Sequence, residues 1–188
     1  MEQTTAAESR PAGSLLQLDP GNFPAFSEIF GNDHPVEIEI GCGKGKFLIA
    51  RAVEHPEINF LGIDVSWKWM KRGVERSNKR GLGNVKFIKK DARELVAAGI
   101  PNGSVSVFHV YFPDPWPKRR HRKRRMITGA FLSLLAGRLT DNGILELATD
   151  HEDYFAQMRL AVVQSGVAWS ADEERTNDRF VAASAKTN

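Results

Sequence analysis

Short β-branched runs alternate with helix-patterned stretches along most of this chain, and nearly every run is followed by glycine, proline or a carboxylate. Val36–Ile40 (VEIEI) reads as a strand that stops at Gly41. Lys46–Glu54 has apolar spacing suited to a helix. Ile58–Val65 (INFLGIDV) is apolar enough for a strand covered on both faces. Ser66–Arg80 reads as a helix with Ser66 as N-cap, broken by Gly81, Gly83 and Asn84. A third strand over Val85–Ile88, a short helix over Ala92–Ala98 and a fourth strand over Ser104–Phe112 come next. A helix is expected over Arg122–Leu139, stopped by Asp141, Asn142 and Gly143. Ile144–Ala148 then reads as a strand, His151–Ser165 as a helix closed by Gly166, and Val167–Ser170 as the start of another strand. Strands and helices alternating at this spacing predict an α/β fold with a doubly wound, mostly parallel sheet. Such sheets bind ligands beyond the carboxyl ends of their strands, at the point where the strand order reverses.

Five segments fall at that edge: Gly41–Gly45, Asp64, Asp91, Pro113–Pro117 and Thr149–Asp150. In the first, Glu39-Ile40-Gly41-Cys42-Gly43-Lys44-Gly45, the glycines let backbone approach a ligand closely. The dinucleotide fingerprint G-x-G-x-x-G places a pyrophosphate on the helix N-terminus. Here Gly41, Gly43 and Gly45 are spaced G-x-G-x-G behind the acid Glu39, which repels a pyrophosphate. The arrangement suits a ligand carrying an ammonium and a sulfonium, S-adenosylmethionine. Asp64 ends the second strand, where a carboxylate accepts from ribose hydroxyls. Asp91-Ala92 follows the third, where Asp91 either accepts from an adenine amino group or simply caps the helix.

Pro113-Asp114-Pro115-Trp116-Pro117-Lys118 holds three prolines in five residues, which predicts a stiff extended loop presenting Asp114 and Trp116. Trp116 offers a flat face for base stacking. Lys118-Arg119-Arg120-His121-Arg122-Lys123-Arg124-Arg125 then packs seven fixed cations into eight residues. From Lys68 to Arg125 the chain carries 17 Lys/Arg against 4 Asp/Glu, while the other residues carry 9 against 19. The separation predicts a polyanion-binding face on an acidic body, with phosphates met by Arg119, Arg120, Arg124 and Arg125.

With 188 residues, the chain suits one domain over 21–188 behind a loose polar tail over 1–20. No run reaches the ~18 apolar residues of a membrane span, and Met1 to Pro20 lacks a charged leader before an apolar stretch. The single cysteine, Cys42, allows neither an intrachain disulfide nor a cysteine metal cluster, which fits a reducing cytoplasm; no metal is expected.

EIGCGKG, PDPWPKRRHRKRR and LELATDHEDY, in that order from Pro35 to Gly166, resemble the bacterial tRNA (guanine-N7-)-methyltransferases, a class I S-adenosylmethionine-dependent family. The resemblance implies a Rossmann-like fold and methylation of a variable-loop guanosine of tRNA. It implies that Glu39, Asp64 and Asp91 bind S-adenosylmethionine, that Asp114 is the acid of the catalytic site, and that Lys118 and Asp150 contact RNA. The family closes with T-x-[FY]-E and a last strand. Thr187-Asn188 matches its first two positions, and Thr176-Asn177-Asp178 matches less well. The last strand is therefore expected to be missing or incomplete. Two other readings are an exocyclic-amino methyltransferase, whose loop is typically N/D-P-P-[YFW], and an RNA-binding module with an inactive site. The glycine spacing disfavours an NAD oxidoreductase.

Overall fold

In a computed structural model, residues 15–17, 20–171 and 180–185 are described. Among the described residues, eight strands form one sheet: β1 (Leu15–Leu16), β2 (Val36–Ile40), β3 (Asn59–Asp64), β4 (Val85–Lys89), β5 (Val105–Tyr111), β6 (Leu139–Ala148), β7 (Trp169–Ala171) and β8 (Phe180–Ala185). Six α-helices accompany them: α1 (Phe26–Phe30), α2 (Lys46–Glu54), α3 (Trp67–Lys79), α4 (Ala92–Ala98), α5 (Gly129–Arg138) and α6 (Glu152–Gln164). The strand order is β1-β4-β3-β2-β5-β6-β8-β7, parallel except for the antiparallel pairings of β8. The chain winds outward from β2 through β3 to β4, then returns to lay β5 on the other side of β2. That reversal places the switch point between β2 and β5, the doubly wound architecture the alternation predicts.

Side-chain alternation divides the sheet into two covered faces. Phe60 and Phe87 pack against Leu48 and Ala52 of α2 and Met70 and Val74 of α3. Ile38, Leu61, Ile63, Val110 and Leu147 belong to a second core with Leu95, Leu132, Leu135, Tyr154 and Met158 from α4, α5 and α6. Close approach on the first face depends on glycine. A Cβ on Gly45, which has φ of +62°, lies 2.9 Å from the Phe87 ring and 3.3 Å from the Gly73 Cα.

Three expectations are corrected. The helix expected over Arg122–Leu139 is split: Arg119–Arg124 form a 3-10 turn, and α5 begins only after Thr128, whose hydroxyl accepts from the Phe131 N–H. The helix ends at Arg138, so Asp141-Asn142-Gly143 does not stop it. Instead these residues bulge out of β6, where Val105 pairs with Leu139 but Val107 pairs with Ile144. Within the stretch 1–20, Leu15 and Leu16 pair with Phe87 and Ile88 at the sheet edge. The last strand is not missing: Phe180–Ala185 lies between β6 and β7 and pairs with both. The backbone groups of two adjacent strands otherwise face each other across a gap, and an antiparallel segment satisfies both sets. Thr187 and Thr176-Asn177-Asp178 lie outside the described residues.

Gly45→Ala combines left-handed backbone with the Phe87 contact, so it is expected to lower stability by about 2 kcal/mol, measured by urea unfolding.

Candidate active site

The glycine turn leaves β2 with Gly41, Gly43 and Gly45 all at positive φ. Gly41 N–H and Cys42 N–H donate to Ile63 O, at 2.8 and 3.2 Å, and so prolong the β2–β3 ladder. Gly43 N–H donates to Asp64 Oδ2 at 2.8 Å, and Ser66 N–H donates to Asp64 Oδ1 at 2.7 Å. Asp64 therefore ties the turn after β2 to the turn after β3. The Ser66 side chain makes no capping hydrogen bond on α3, although the residue stands at the N-cap position as expected.

Above this tie a cleft of about 500 Å³ opens at the switch point. Gly41, Asp64, Asp91 and Ala92 line it from one side, and Asp114, Trp116 and Arg124 from the other. Most of the edge segments expected from the sequence thus converge on one cavity. Gly43, Gly45 and Glu39 are not part of its lining. Glu39 is instead buried, 7% exposed, and among the described residues its Oε2 has no hydrogen-bond partner. Burial, with a smaller push from Asp64 and against the pull of His109, raises its pKa to about 8. Asp91 caps α4 by accepting from Arg93 N–H at 2.9 Å, and the Arg93 guanidinium grips the same carboxylate. Those bonds hold the Asp91 carboxyl below its ordinary range. The capping role is therefore real, and Asp91 lines the cleft as well.

The Pro113–Pro117 loop is not uniformly extended, which corrects the sequence reading. Phe112 has φ of +51° and Trp116 of +41°, although each precedes a proline. Left-handed backbone at a non-glycine residue costs about 1–3 kcal/mol and persists only where its surroundings enforce it. Arg125 supplies that enforcement. It is buried, and its Nε donates to Pro115 O at 2.7 Å, its Nη1 to Gln157 Oε1 at 2.7 Å and its Nη2 to Asp153 Oδ2 at 2.5 Å. The guanidinium also lies 4.7 Å over the Tyr154 ring. The basic run predicts that Arg125 meets RNA phosphate; with each of its three nitrogens donating inside the protein and its side chain 1% exposed, it clamps the loop instead.

The rest of the basic run divides in the same way. Arg122 pairs with Asp153 at 3.1 Å. Arg124 is exposed and stands 4.9 Å over the Trp116 ring, while His121 meets that ring edge-on at 5.9 Å. Lys118, Arg119, Arg120 and Lys123 are exposed, as are Asp114 and Asp150. Neither Lys118 nor Asp150 lines the cleft.

Several site residues carry no signal in the sequence. Trp69, Arg93, Tyr111, Phe112 and Met126 line the cleft. Beneath it, Glu39, His109 and Glu146 stand in register on β2, β5 and β6. His109 Nε2 is 2.9 Å from Glu37 Oε2, and His109 Nδ1 is 2.8 Å from Glu146 Oε2. The Tyr111 hydroxyl donates to Glu146, and the Phe47 ring packs edge-on against both His109 and Tyr111. Burial works to raise Glu37, but His109 and Arg51 outweigh it and hold that carboxyl low. The period-two acids of VEIEI do place Glu37 and Glu39 on one face. Their partners come from distant strands whose register no local pattern displays.

Arg125→Met is expected to lower stability by about 2–3 kcal/mol, because charge-assisted bonds to the loop and to α6 disappear. Calorimetric melting is the measurement. An arginine serving only to bind phosphate would leave the melting temperature alone and change only RNA binding.

Comparison with known proteins agrees with this geometry. The family model described as "Putative methyltransferase" matches residues 33–186. A tRNA (guanine-N(7)-)-methyltransferase of Leifsonia xyli subsp. xyli is 42% identical over 154 residues, 82% of this chain and 64% of that protein. One from Actinobacillus pleuropneumoniae serotype 5b is 37% identical over 164 residues, 87% of this chain and 65% of that protein. The chain thus spans a little under two thirds of the length of these relatives. Among solved structures, the aminoglycoside resistance methyltransferase NpmB1 superposes with a TM-score of 0.61 at 19% identity, over 90% of this chain and 95% of that one. At that identity the likeness concerns the fold alone. The fold, the converging strand ends and the match over 33–186 lead to one assignment: the chain belongs to the methyltransferase family that includes the bacterial tRNA (guanine-N(7)-)-methyltransferases.

Proposed function

We propose that this chain transfers a methyl group from S-adenosylmethionine to N7 of a guanine in tRNA. The observation that carries the reading is a nucleoside-sized cleft edged by Gly41, Asp64 and Asp91, with the buried Glu39 carboxylate, whose Oε2 has no partner among the described residues, two positions before Gly41 on the same strand end. A buried oxygen without a donor is costly, and an ammonium group removes that cost. The cleft lies within the range of small-molecule sites. These features fit S-adenosylmethionine. Glu39 would hold its amino-acid end, Gly41 would let the backbone approach, Asp64 would accept from the ribose, and Asp91-Ala92 would border the adenine. The names of both relatives carry the same activity.

When bound, S-adenosylmethionine supplies a methyl group already activated on sulfonium. Guanine N7 carries an in-plane lone pair and no proton, so the chain needs no general base. Its tasks are placement and charge. Trp116, on the strained loop, offers a stacking face for a base. Asp114 lines the same cleft, and its negative charge opposes the positive charge that develops on the ring. A carboxylate accepting from the guanine N1–H and amino edge also rejects adenine, which lacks that proton. Asp150 is a second candidate for that role. Lys118, Arg119, Arg120 and Arg124, exposed beside the cleft, would meet tRNA phosphates. A tRNA substrate and a bacterial cytoplasmic setting are parts of the same proposal.

The raised Glu39 pKa adds a test of the cofactor site. Below about pH 8 the free protein holds a proton on Glu39 that a cationic ligand must displace. Affinity for S-adenosylmethionine is therefore expected to rise with pH up to about 8, by at most tenfold per unit, and Glu39→Gln should be weaker and flat over the same range. Calorimetric titration from pH 6 to 9 checks both.

Asp114→Asn keeps the loop's prolines and its shape while removing the charge. It is expected to slow single-turnover methylation of tRNA by about 100- to 1000-fold, with cofactor affinity retained. Digestion of the product should yield N7-methylguanosine. Methyl label on an exocyclic nitrogen would replace this reading with the exocyclic one, and a variant within threefold of the parent would remove Asp114 from the chemistry.

A further inference from the structure

Helix α3 carries a second concentration of positive charge, away from the basic run. Its buried side is Met70, Gly73, Val74 and Ser77. Lys68, Arg72, Arg76 and Lys79, at spacings of four, four and three, share an arc of about 80° on the exposed side. Arg72, Arg76 and Lys79 border a shallow recess with Glu75, the one carboxylate on the helix. Glu75 pairs with Lys71 at 3.7 Å, and among the described residues the four stripe cations make no ion pair. Local stability does not account for this pattern. Cations in the last turn favour the helix dipole, which covers Arg76 and Lys79. Lys68 stands in the first turn, where the dipole disfavours it and where no acid is present. Like charges four apart, as in Lys68–Arg72–Arg76, weaken a helix further.

The stripe also leads to the cleft. Its first member, Lys68, lies 5.5 Å from the centre of the Trp69 ring, and Lys44 of the glycine turn lies 4.9 Å from that ring. Trp69 is 44% exposed and lines the cleft. From Lys68 to Lys79 the stripe runs about 16 Å along the side of the sheet. Such a run of exposed cations, joined to the site at an aromatic ring, complements a phosphate backbone leaving the cleft.

We propose that the exposed face of α3 is a second RNA-binding surface, on which Lys68, Arg72, Arg76 and Lys79 hold phosphates of the substrate RNA outside the target nucleotide. The inference rests on the proposed tRNA substrate. It adds a binding surface that neither the basic run after β5 nor the cleft contains.

The test is the Lys68→Gln/Arg72→Gln/Arg76→Gln/Lys79→Gln variant of the whole chain, with bulk tRNA as the probe and binding measured by fluorescence polarisation from 50 to 300 mM salt. All four side chains are exposed and glutamine is a good helix former, so melting temperature and cofactor affinity should hold. The expected result is a loss of at least tenfold in tRNA affinity at 100 mM salt, and a log–log salt slope shallower by about two to four, close to one for each phosphate no longer neutralised. A variant with the parent's affinity and slope would overturn the inference while leaving the proposed function in place. A parent chain that fails to bind tRNA at all would overturn both.

Discussion

The carboxylate of Asp64 is the tie on which the cleft depends. One oxygen accepts from Gly43 N–H and the other from Ser66 N–H, so the turns after β2 and β3 are fixed to each other at the strand tips. The glycines make that geometry accessible, since all three of the turn sit at positive φ. Gly45 further lets α2 start against Phe87 and the Gly73 backbone of α3. The floor and one wall of the site are thereby set by backbone groups rather than by long side chains. Such groups need little reorganisation when a ligand arrives.

The opposite wall is held by a different device. Two residues before prolines, Phe112 and Trp116, sit in left-handed backbone, and the buried Arg125 guanidinium binds the Pro115 carbonyl between them. The same guanidinium reaches Asp153 and Gln157 on α6. Strain in the loop is thus offset by charge-assisted hydrogen bonds to a packed helix. Asp114 and Trp116 therefore line the cleft from a wall braced from behind.

Between the walls, the centre of the sheet carries ionisable groups in an otherwise apolar core. Glu39, His109 and Glu146 align across β2, β5 and β6, with Glu37, Arg51 and Tyr111 attached. Glu37 and Glu146 each set one carboxylate oxygen against His109, and Glu39 Oε2 has no partner among the described residues. Such a network concentrates unmet hydrogen-bonding demand next to the glycine turn.

Much of this was legible in the sequence. The alternation of strands and helices determined the sheet class, because period-two and helical patterns persist locally whatever surrounds them. The strand ends carried Glu39, Asp64, Asp91 and Asp114 because a parallel sheet directs all its carboxyl ends to one edge. What the sequence could not display were choices made by distant neighbours. Arg125 and Arg124 are identical residues one position apart, yet one is buried against α6 and the other faces solvent over Trp116. The run Asp141-Asn142-Gly143 looks like a helix stop but bulges out of β6, because the pairing of β5 with β6 sets that register. Trp69 became a cleft residue, and His109 the centre of a buried network, only when strands far apart in the chain were laid side by side. Local propensity and strand-end chemistry are written along the chain; burial, register and partner are properties of the packed sheet.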